Sequence, residues 1–157
     1  MNVKMVELHE NFAKEICNEW RYDGEYSVYN VPWDEAVKQN WSIADEAKRN
    51  IQFRGVIDEN NRLIGFFRMT KDDNNDIEIG LGMHPELCGQ GFGKEFVKII
   101  TDYAHQKFPE HKLYVEVRTF NKRAFSCYNS SGYRLKFQHK KVTALGIIEY
   151  FRMEFDG

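Results

Sequence analysis

No stretch of this 157-residue chain is apolar for long enough to cross a bilayer, which takes about 18 or more successive apolar residues, so no membrane partner is expected. The segment Met1 to Phe12 lacks the apolar core and small-residue cleavage site of a secretory leader. The three cysteines, Cys17, Cys88 and Cys127, are odd in number, scattered, and form no C-x-x-C pair. They read as reduced thiols rather than a disulfide framework, and the expected location is the cytoplasm. His84 and Cys88 lie close together, but no second pair has metal-ligand spacing, so no metal is expected. A formal net charge of −2 provides no basic excess of the kind that marks nucleic-acid binding. Internal repeats, linkers and low-complexity segments are missing as well. What remains is one domain over residues 1–157, large enough to bury a core without staples.

What the chain does contain is a succession of well-punctuated elements. Val3 to Leu8 alternates as a first strand. Asn11 is placed to cap a helix on which Phe12, Ile16 and Trp20 recur four apart, and Asp23-Gly24 breaks it. Pro32 opens a second helix, expected from Trp33 to about Lys48. Phe53 to Ile57 and Leu63 to Met69 read as strands joined by the polar turn Asp58 to Arg62, and a second turn, Lys71 to Asp76, leads to a third. A helix from Gly91 carries Phe92, Phe96, Ile99, Ile100, Tyr103 and Ala104 near one face until Pro109 ends the segment. Leu113, Val115 and Val117 form a strand whose other face shows Tyr114, Glu116 and Arg118. A full helix separates it from the preceding strand, so a parallel crossover is expected. Asn121 caps a short helix closed by Gly132, and Tyr133 to Lys141 and Ile147 to Phe155 are the last two strands. The order β-α-α-β-β-β-α-β-α-β-β describes an α/β (α+β) domain with one mixed central sheet flanked by helices.

The stretch from Ile77 to Phe96, IEIGLGMHPELCGQGFGKEF, organises the rest. An alternating strand (Ile77, Ile79, Leu81, Met83) stops at His84-Pro85 and turns through Gly89, Gly91 and Gly93 into a helix. Such a turn directs backbone N–H groups, with the helix dipole behind them, at one spot that favours a phosphate. Two common phosphate loops do not fit. A Walker loop would need Gly where Cys88 stands and a hydroxyl where Glu95 stands. The dinucleotide fingerprint needs G-x-G-x-x-G, whereas these glycines are spaced G-x-G-x-G.

Met83-His84-Pro85 followed by Cys88-Gly89-Gln90-Gly91-Phe92-Gly93 resembles motif A of the GNAT superfamily of acetyl-CoA-dependent N-acetyltransferases, Arg/Gln-x-x-Gly-x-Gly/Ala. Glu116-Val117-Arg118, Asn121-x-x-Ala124-x-x-x-Tyr128 and Gly132-Tyr133 resemble its motif B. The likeness runs from Ile77 to Tyr133, with one departure: Cys88 stands where the family has Arg or Gln. The resemblance implies the GNAT-like acyl-CoA N-acyltransferase fold and an enzyme that moves the acetyl group of acetyl-CoA directly to a primary amine. It implies a pyrophosphate grip by the N–H groups of Gly89, Gln90, Gly91, Phe92, Gly93 and Lys94. It also implies a strand edge for the pantetheine arm at Leu81, Gly82 and Met83, with an oxyanion donor near Met83, and Asn121 beside the cofactor. An amine is largely protonated at neutral pH, because a lysine titrates near about 10.4 and an α-amine near about 8. A carboxylate must therefore take a proton. Glu116 matches the base of one branch of the family, and Glu78 lies on the strand where other branches keep theirs. Tyr128 matches the general acid for the leaving thiolate.

Read from the residues alone, Asn121 is also a plain helix cap, Tyr128 a packing residue, and either glutamate a solvated strand position. A non-catalytic acyl-CoA-binding or sensing module on the same fold is the alternative to an enzyme. The acceptor, a small molecule or a peptide, stays open. Tyr22 to Trp41 is rich in aromatics, with Glu19, Asp23, Glu25, Asp34 and Glu35 around it. That neighbourhood suits a cationic amine, and it equally suits core packing under a solvated acidic surface. Family members often form homodimers, which the resemblance extends to this chain.

Overall fold

Asp58 and Asp72 each fold a polar turn, and those two turns lay out the middle of the sheet. In the computed structural model, which describes residues 1–157, Asp58 Oδ1 accepts from the N–H groups of Asn60 and Arg62 at 2.9 and 3.0 Å. Asp72 Oδ1 does the same for Asn74 and Asp76 at 2.8 and 3.0 Å. In both turns an asparagine takes the left-handed conformation, Asn61 at φ 61° and Asn75 at φ 62°, which Asn tolerates better than other side chains. The turns join β2 (Phe53–Ile57), β3 (Leu63–Lys71) and β4 (Ile77–Met83). With β1 (Lys4–Glu7), β5 (Leu113–Arg118), β6 (Tyr133–Thr143) and β7 (Gly146–Phe155) they make a seven-stranded sheet of order β1-β2-β3-β4-β5-β7-β6. The expected crossover is present, since β4 runs parallel to β5, whereas β1–β2, β2–β3, β5–β7 and β6–β7 are antiparallel. The mixed sheet flanked by helices is the fold class the pattern implied.

The chain divides into two compact units, residues 1–68 with 81–88, and residues 69–80 with 89–157. The first unit is built on Leu8, Trp20, Phe53, Ile57 and Leu63, with Val6, Phe12, Ile16, Ile43 and Phe66 packed around them. Its helices differ from expectation in two places. Helix α1 (Glu10–Glu19) is capped by His9, not Asn11: the imidazole accepts from the Phe12 N–H and stacks on the Phe12 ring, with centroids 4.0 Å apart. The helix expected from Trp33 to Lys48 is broken. Helix α2 (Trp33–Lys38) stops short of Asn40 at φ 56°, a 3₁₀ turn spans Ser42–Ala44, and α3 (Glu46–Gln52) starts on Asp45, whose side chain accepts from the Lys48 N–H. A left-handed residue ends an α-helix and an Asp cap begins a new one, so three α-helices precede β2. Arg49 of α3 is buried, and its guanidinium donates to the carbonyls of Leu8 and Ile43 at 3.0 and 2.8 Å. A buried charge satisfied in this way fixes the position of α3.

The second unit has α4 (Gly93–Lys107) and α5 (Lys122–Ser130). Phe96, Val97, Ile100 and Ala104 of α4, Ile77 and Ile79 of β4, Leu113, Val115 and Val117 of β5, and Met153 of β7 are among its buried apolar residues. Helix α4 begins two residues later than expected because Gly91, at φ 85°, cannot be helical. Gly132 at φ 100° follows α5 as expected, and Tyr133 behind it is buried, its hydroxyl 2.8 Å from that of Thr101. A bulge between Leu135 and Phe137 shifts the register of β6 against β7. Before it Leu135 pairs with Met153, and after it Phe137 pairs with Arg152, so the side chains that follow change face. No helix is long and apolar enough to cross a membrane.

Burial pushes the Tyr133 phenol up to about 12, partly offset by the Thr101 hydrogen bond. The unfolded chain releases that proton near about 10, so between those values it binds fewer protons than the native state, and stability falls as pH rises. Urea titrations at pH 8, 10 and 11.5 should show a steeper alkaline loss in the wild type than in Tyr133→Phe. The variant itself should lose about 1 kcal/mol at pH 8 from the broken Thr101 bond. Identical alkaline slopes would remove Tyr133 as the source.

Candidate active site

Strand β4 pairs with β5 only at its start. The ladder comprises Ile77↔Leu113 and Glu78↔Tyr114 and goes no further, although β4 continues to Met83. Past the paired residues, Leu81, Gly82 and Met83 are half-exposed. The far end of β4 is held from within its own unit. The Tyr22 hydroxyl donates to the Met83 carbonyl at 2.8 Å, and the His84 N–H donates to the Ile64 carbonyl at 2.8 Å. Gly82 is required by a close approach: a Cβ there would lie 2.7 Å from Phe66 Cζ.

The segment after β4 is a 3₁₀ turn, Pro85–Leu87, followed by the glycine loop. Cys88 is turned inward. Its Sγ lies 3.7 Å from the Met83 carbonyl oxygen and 3.6 Å from that of His84, so the thiol donates weakly to the backbone it has just left. Gly89 (φ 76°) and Gly91 (φ 85°) take conformations that L side chains rarely adopt, and Gly89, Gln90, Gly91 and Phe92 are exposed. A Cβ on Gly91 would meet nothing within 4 Å, so its backbone faces open space. Phe92 at the N-cap of α4 gives no side-chain hydrogen bond to the first turn, leaving those N–H groups without the acceptor a Ser or Asp would supply. A 15-residue helix with its positive dipole end presented this way suits an anion.

Alongside the loop, in the second unit, stands α5. Asn121 caps it, its Oδ1 accepting from the Ala124 N–H at 3.0 Å, as one of its two sequence readings required. Arg123 lies two residues on, and its Nη1 would be 3.9 Å from a Cβ on Gly89. A guanidinium therefore sits beside the loop from another element. Tyr128 is buried, its ring edge-on to Tyr133 with centroids 5.6 Å apart.

The two glutamates have different surroundings. Glu116, half-buried on β5, is held by His139 Nε2 at 2.7 Å and Lys141 Nζ at 3.3 Å, one on each carboxylate oxygen. Glu78 lies opposite Tyr114 in the short ladder. Burial first, then the hydrogen bond to Asp72 at 2.9 Å and the charge of Glu78, push the Tyr114 phenol well above the ordinary range. The Arg152 guanidinium covers the Tyr114 ring at 3.6 Å and bridges Asp76 and Glu154 at 3.2 and 2.9 Å. No group of three or more His, Cys, Asp or Glu side chains is placed to hold a metal ion.

Tyr22, Arg123, His139 and Lys141 join this picture from the structure rather than the sequence. Arg123 was within reach of inspection, two residues after Asn121. His139 and Lys141 come to Glu116 only through the β6 bulge, which no local pattern announces. Trp20, ahead of the aromatic stretch, is buried and donates from Nε1 to Glu15 at 2.9 Å. Within the stretch Tyr22, Tyr26, Trp33 and Trp41 are half-buried and Tyr29 is exposed, and the Trp33 ring is flanked by Lys14 Nζ and the Arg49 guanidinium at 5.6 and 6.0 Å.

Residues 3–134 match the family model described as Acetyltransferase (GNAT) domain. No curated protein matches the chain in sequence. Among solved structures, the chain is similar to a chimera of the spermidine N-acetyltransferase SpeG from Vibrio cholerae and hSSAT, with TM-score 0.72 and 20% identity, over 99% of this chain and 95% of that one. The Vibrio cholerae spermidine N-acetyltransferase in complex with CoA and spermine gives 0.68 and 17% over 98% and 95% of the two chains. The dodecameric structure of that enzyme in an intermediate state gives 0.70 and 18% over 98% and 93%. At these identities the likeness is one of fold.

The contact between Gly82 and Phe66 generates a stability test. Gly82→Ala should cost about 1–3 kcal/mol, as overpacking does. Adding Phe66→Leu should recover much of that loss in a double-mutant cycle of denaturant midpoints. Strictly additive losses would show that the ring is not what excludes the methyl group.

Proposed function

The chain belongs to the GNAT acetyltransferase family, and from that premise we propose that residues 1–157 act as one N-acetyltransferase domain that carries the acetyl group of acetyl-CoA to a primary amine. The observation that carries this reading is the truncated β4–β5 ladder followed directly by an exposed glycine loop on an uncapped helix. An unfinished strand edge suits an amide-rich arm, which can pair with it as a peptide would. The glycine loop suits a pyrophosphate, because its N–H groups and the helix dipole supply partial positive charge without a side chain. Gly89 to Lys94 take this role, with Lys94 and Arg123 adding full charges. Arg123 then supplies, from α5, the cation that Cys88 does not provide.

The residues divide the chemistry as follows. Leu81 to Met83 hold the pantetheine arm, and the N–H near Met83 faces the thioester oxygen as negative charge builds on it. The Tyr22 bond to the Met83 carbonyl keeps that peptide from turning. Asn121 combines its capping role with a place beside the cofactor. Glu116 serves the deprotonation of the amine, with Glu78 as the other carboxylate in the family position. As the amine nitrogen bonds to the acetyl carbon, the carbon–sulfur bond breaks, and Tyr128 gives its proton to the departing thiolate. The acceptor proposed is a cationic amine, of a small molecule or a peptide. The acidic residues around Tyr22 to Trp41 and the polyamine acetyltransferases of like fold support it.

Thiol release from acetyl-CoA over spermidine, spermine, lysine, kanamycin and a short peptide with a free N-terminus tests the reading. At least one amine should be acetylated. Tight acetyl-CoA binding with no release on any of them would favour a sensing module. Tyr128→Phe should bind acetyl-CoA as the wild type does while kcat falls about 10²-fold; an unchanged kcat takes the residue out of the reaction. Arg123→Gln should weaken acetyl-CoA binding about tenfold or more, the scale of one charge-assisted bond, and should make Kd less sensitive to salt. Calorimetry at two salt concentrations reads both effects, and a wild-type Kd with wild-type salt dependence would contradict the role.

A further inference from the structure

Glu116 is poorly placed to take a proton by itself. Its side chain is 9% exposed, and both of its oxygens are already engaged, Oε2 by His139 Nε2 at 2.7 Å and Oε1 by Lys141 Nζ at 3.3 Å. An amine approaching the carboxylate would have to share its small exposed surface with these two donors. The His139 side chain, 29% exposed, and the Lys141 side chain, 39% exposed, both reach solvent, and of the two only the imidazole can accept a proton at neutral pH. Its ring is packed edge-on against Phe137 at 5.3 Å and tilted against Tyr150 at 6.2 Å, which limits its rotation. A bond from Nε2–H to a carboxylate also selects the tautomer, leaving Nδ1 with a lone pair.

We propose that His139 is the catalytic residue that takes the proton from the acceptor amine, with Glu116 as its positioning residue. The inference rests on the acetyl-transfer reading and sharpens it. The step balances simply. A proton leaves the ammonium nitrogen for His139 Nδ1, and the freed lone pair forms the bond to the acetyl carbon. The carbon–sulfur bond breaks with its electrons on sulfur, the thiolate takes the Tyr128 proton, the acylated nitrogen gives its second proton to the Tyr128 phenolate, and the imidazolium returns its own proton to water.

The groups on this face suit the task. Glu116 stabilises the imidazolium as it forms. Lys141 already balances the carboxylate charge, so the cluster is neutral overall when the imidazole is neutral. The other charged or titratable groups on the face are Tyr114 and Arg118 on β5 and Tyr150, Arg152 and Glu154 on β7, which pair in register with the cluster, and Glu78 on β4 opposite Tyr114. Lys141 Nζ also lies 5.2 Å over the Tyr150 ring, and Arg152 is turned to Asp76 and Glu154. Imidazole is the side chain whose ordinary pKa lies nearest neutrality, about 6.5, which is where a base for a protonated amine works best. The β6 bulge is the structural cause of the arrangement, because it brings His139 and Lys141 to the face that carries Glu116.

Two measurements test this on the full chain. With the fastest amine of the panel above, His139→Gln should lower kcat/KM about 10²-fold or more, leave the acetyl-CoA Kd within about twofold, and remove the acid limb of the pH profile. His139→Ala should regain activity on adding imidazole. In ¹⁵N spectra of the histidines without substrate, His139 should carry its proton on Nε2 in the wild type and lose that single tautomer in Glu116→Gln. A wild-type rate and pH profile in His139→Gln, or a proton resident on Nδ1 in the wild type, would overturn the inference alone. Absence of thiol release by the wild type on every amine would instead overturn the acetyl-transfer reading and the inference with it.

Discussion

The ladder between β4 and β5 ends after two residue pairs, and the rest of the site depends on that short pairing. Strand backbone groups must find partners, and an edge that is not paired within the sheet is open to another chain or an amide-rich ligand. The place where pairing stops is firmly held in the second unit. Tyr114, opposite Glu78, is tied by its hydroxyl to Asp72 and covered by Arg152, which reaches Asp76 and Glu154 in turn. The turn before β4, the start of β5 and the end of β7 thus share one network of partly buried charges. Such groups are costly to leave unpaired, so the network resists any slippage that would extend or shorten the ladder.

The glycine loop solves a second problem without side chains. Gly89 and Gly91 adopt positive φ, and Phe92 supplies no side-chain cap to the first turn of the helix. In this arrangement Cys88 is not a weakened phosphate ligand. Its thiol is spent on the carbonyls of Met83 and His84, and the Arg123 guanidinium stands beside Gly89 from α5. The letter that departs from the family pattern is thereby explained locally, as part of the turn that leaves β4.

Elements announced by local chemistry were legible in the sequence. The Asp58 and Asp72 turns, the alternation of β4 and β5, the Asn121 cap and the Gly132 stop all act within a few residues of themselves, and each stands where it was expected. What escaped depends on choices between near-equal local options or on distant register. His9 outcompetes Asn11 as a cap because its ring also stacks on Phe12. Asn40 ends α2 by adopting a left-handed conformation that asparagine permits but does not dictate. The partners of Glu116 were illegible because they lie on another strand, brought there by a single extra residue in β6. The motif spacing pointed to Glu116, but the imidazole and ammonium that occupy it required the fold.

The central claim is that the backbone donors of Gly89 to Lys94 receive the pyrophosphate of CoA. The most direct measurement follows the amide signals of the ¹⁵N-labelled chain during titration with CoA and, separately, with pantetheine, which has no pyrophosphate. Gly89, Gly91, Gly93 and Lys94 should shift together, saturating with CoA and hardly moving with pantetheine. CoA binding that leaves those amides unmoved, or pantetheine shifting them equally, would contradict the account.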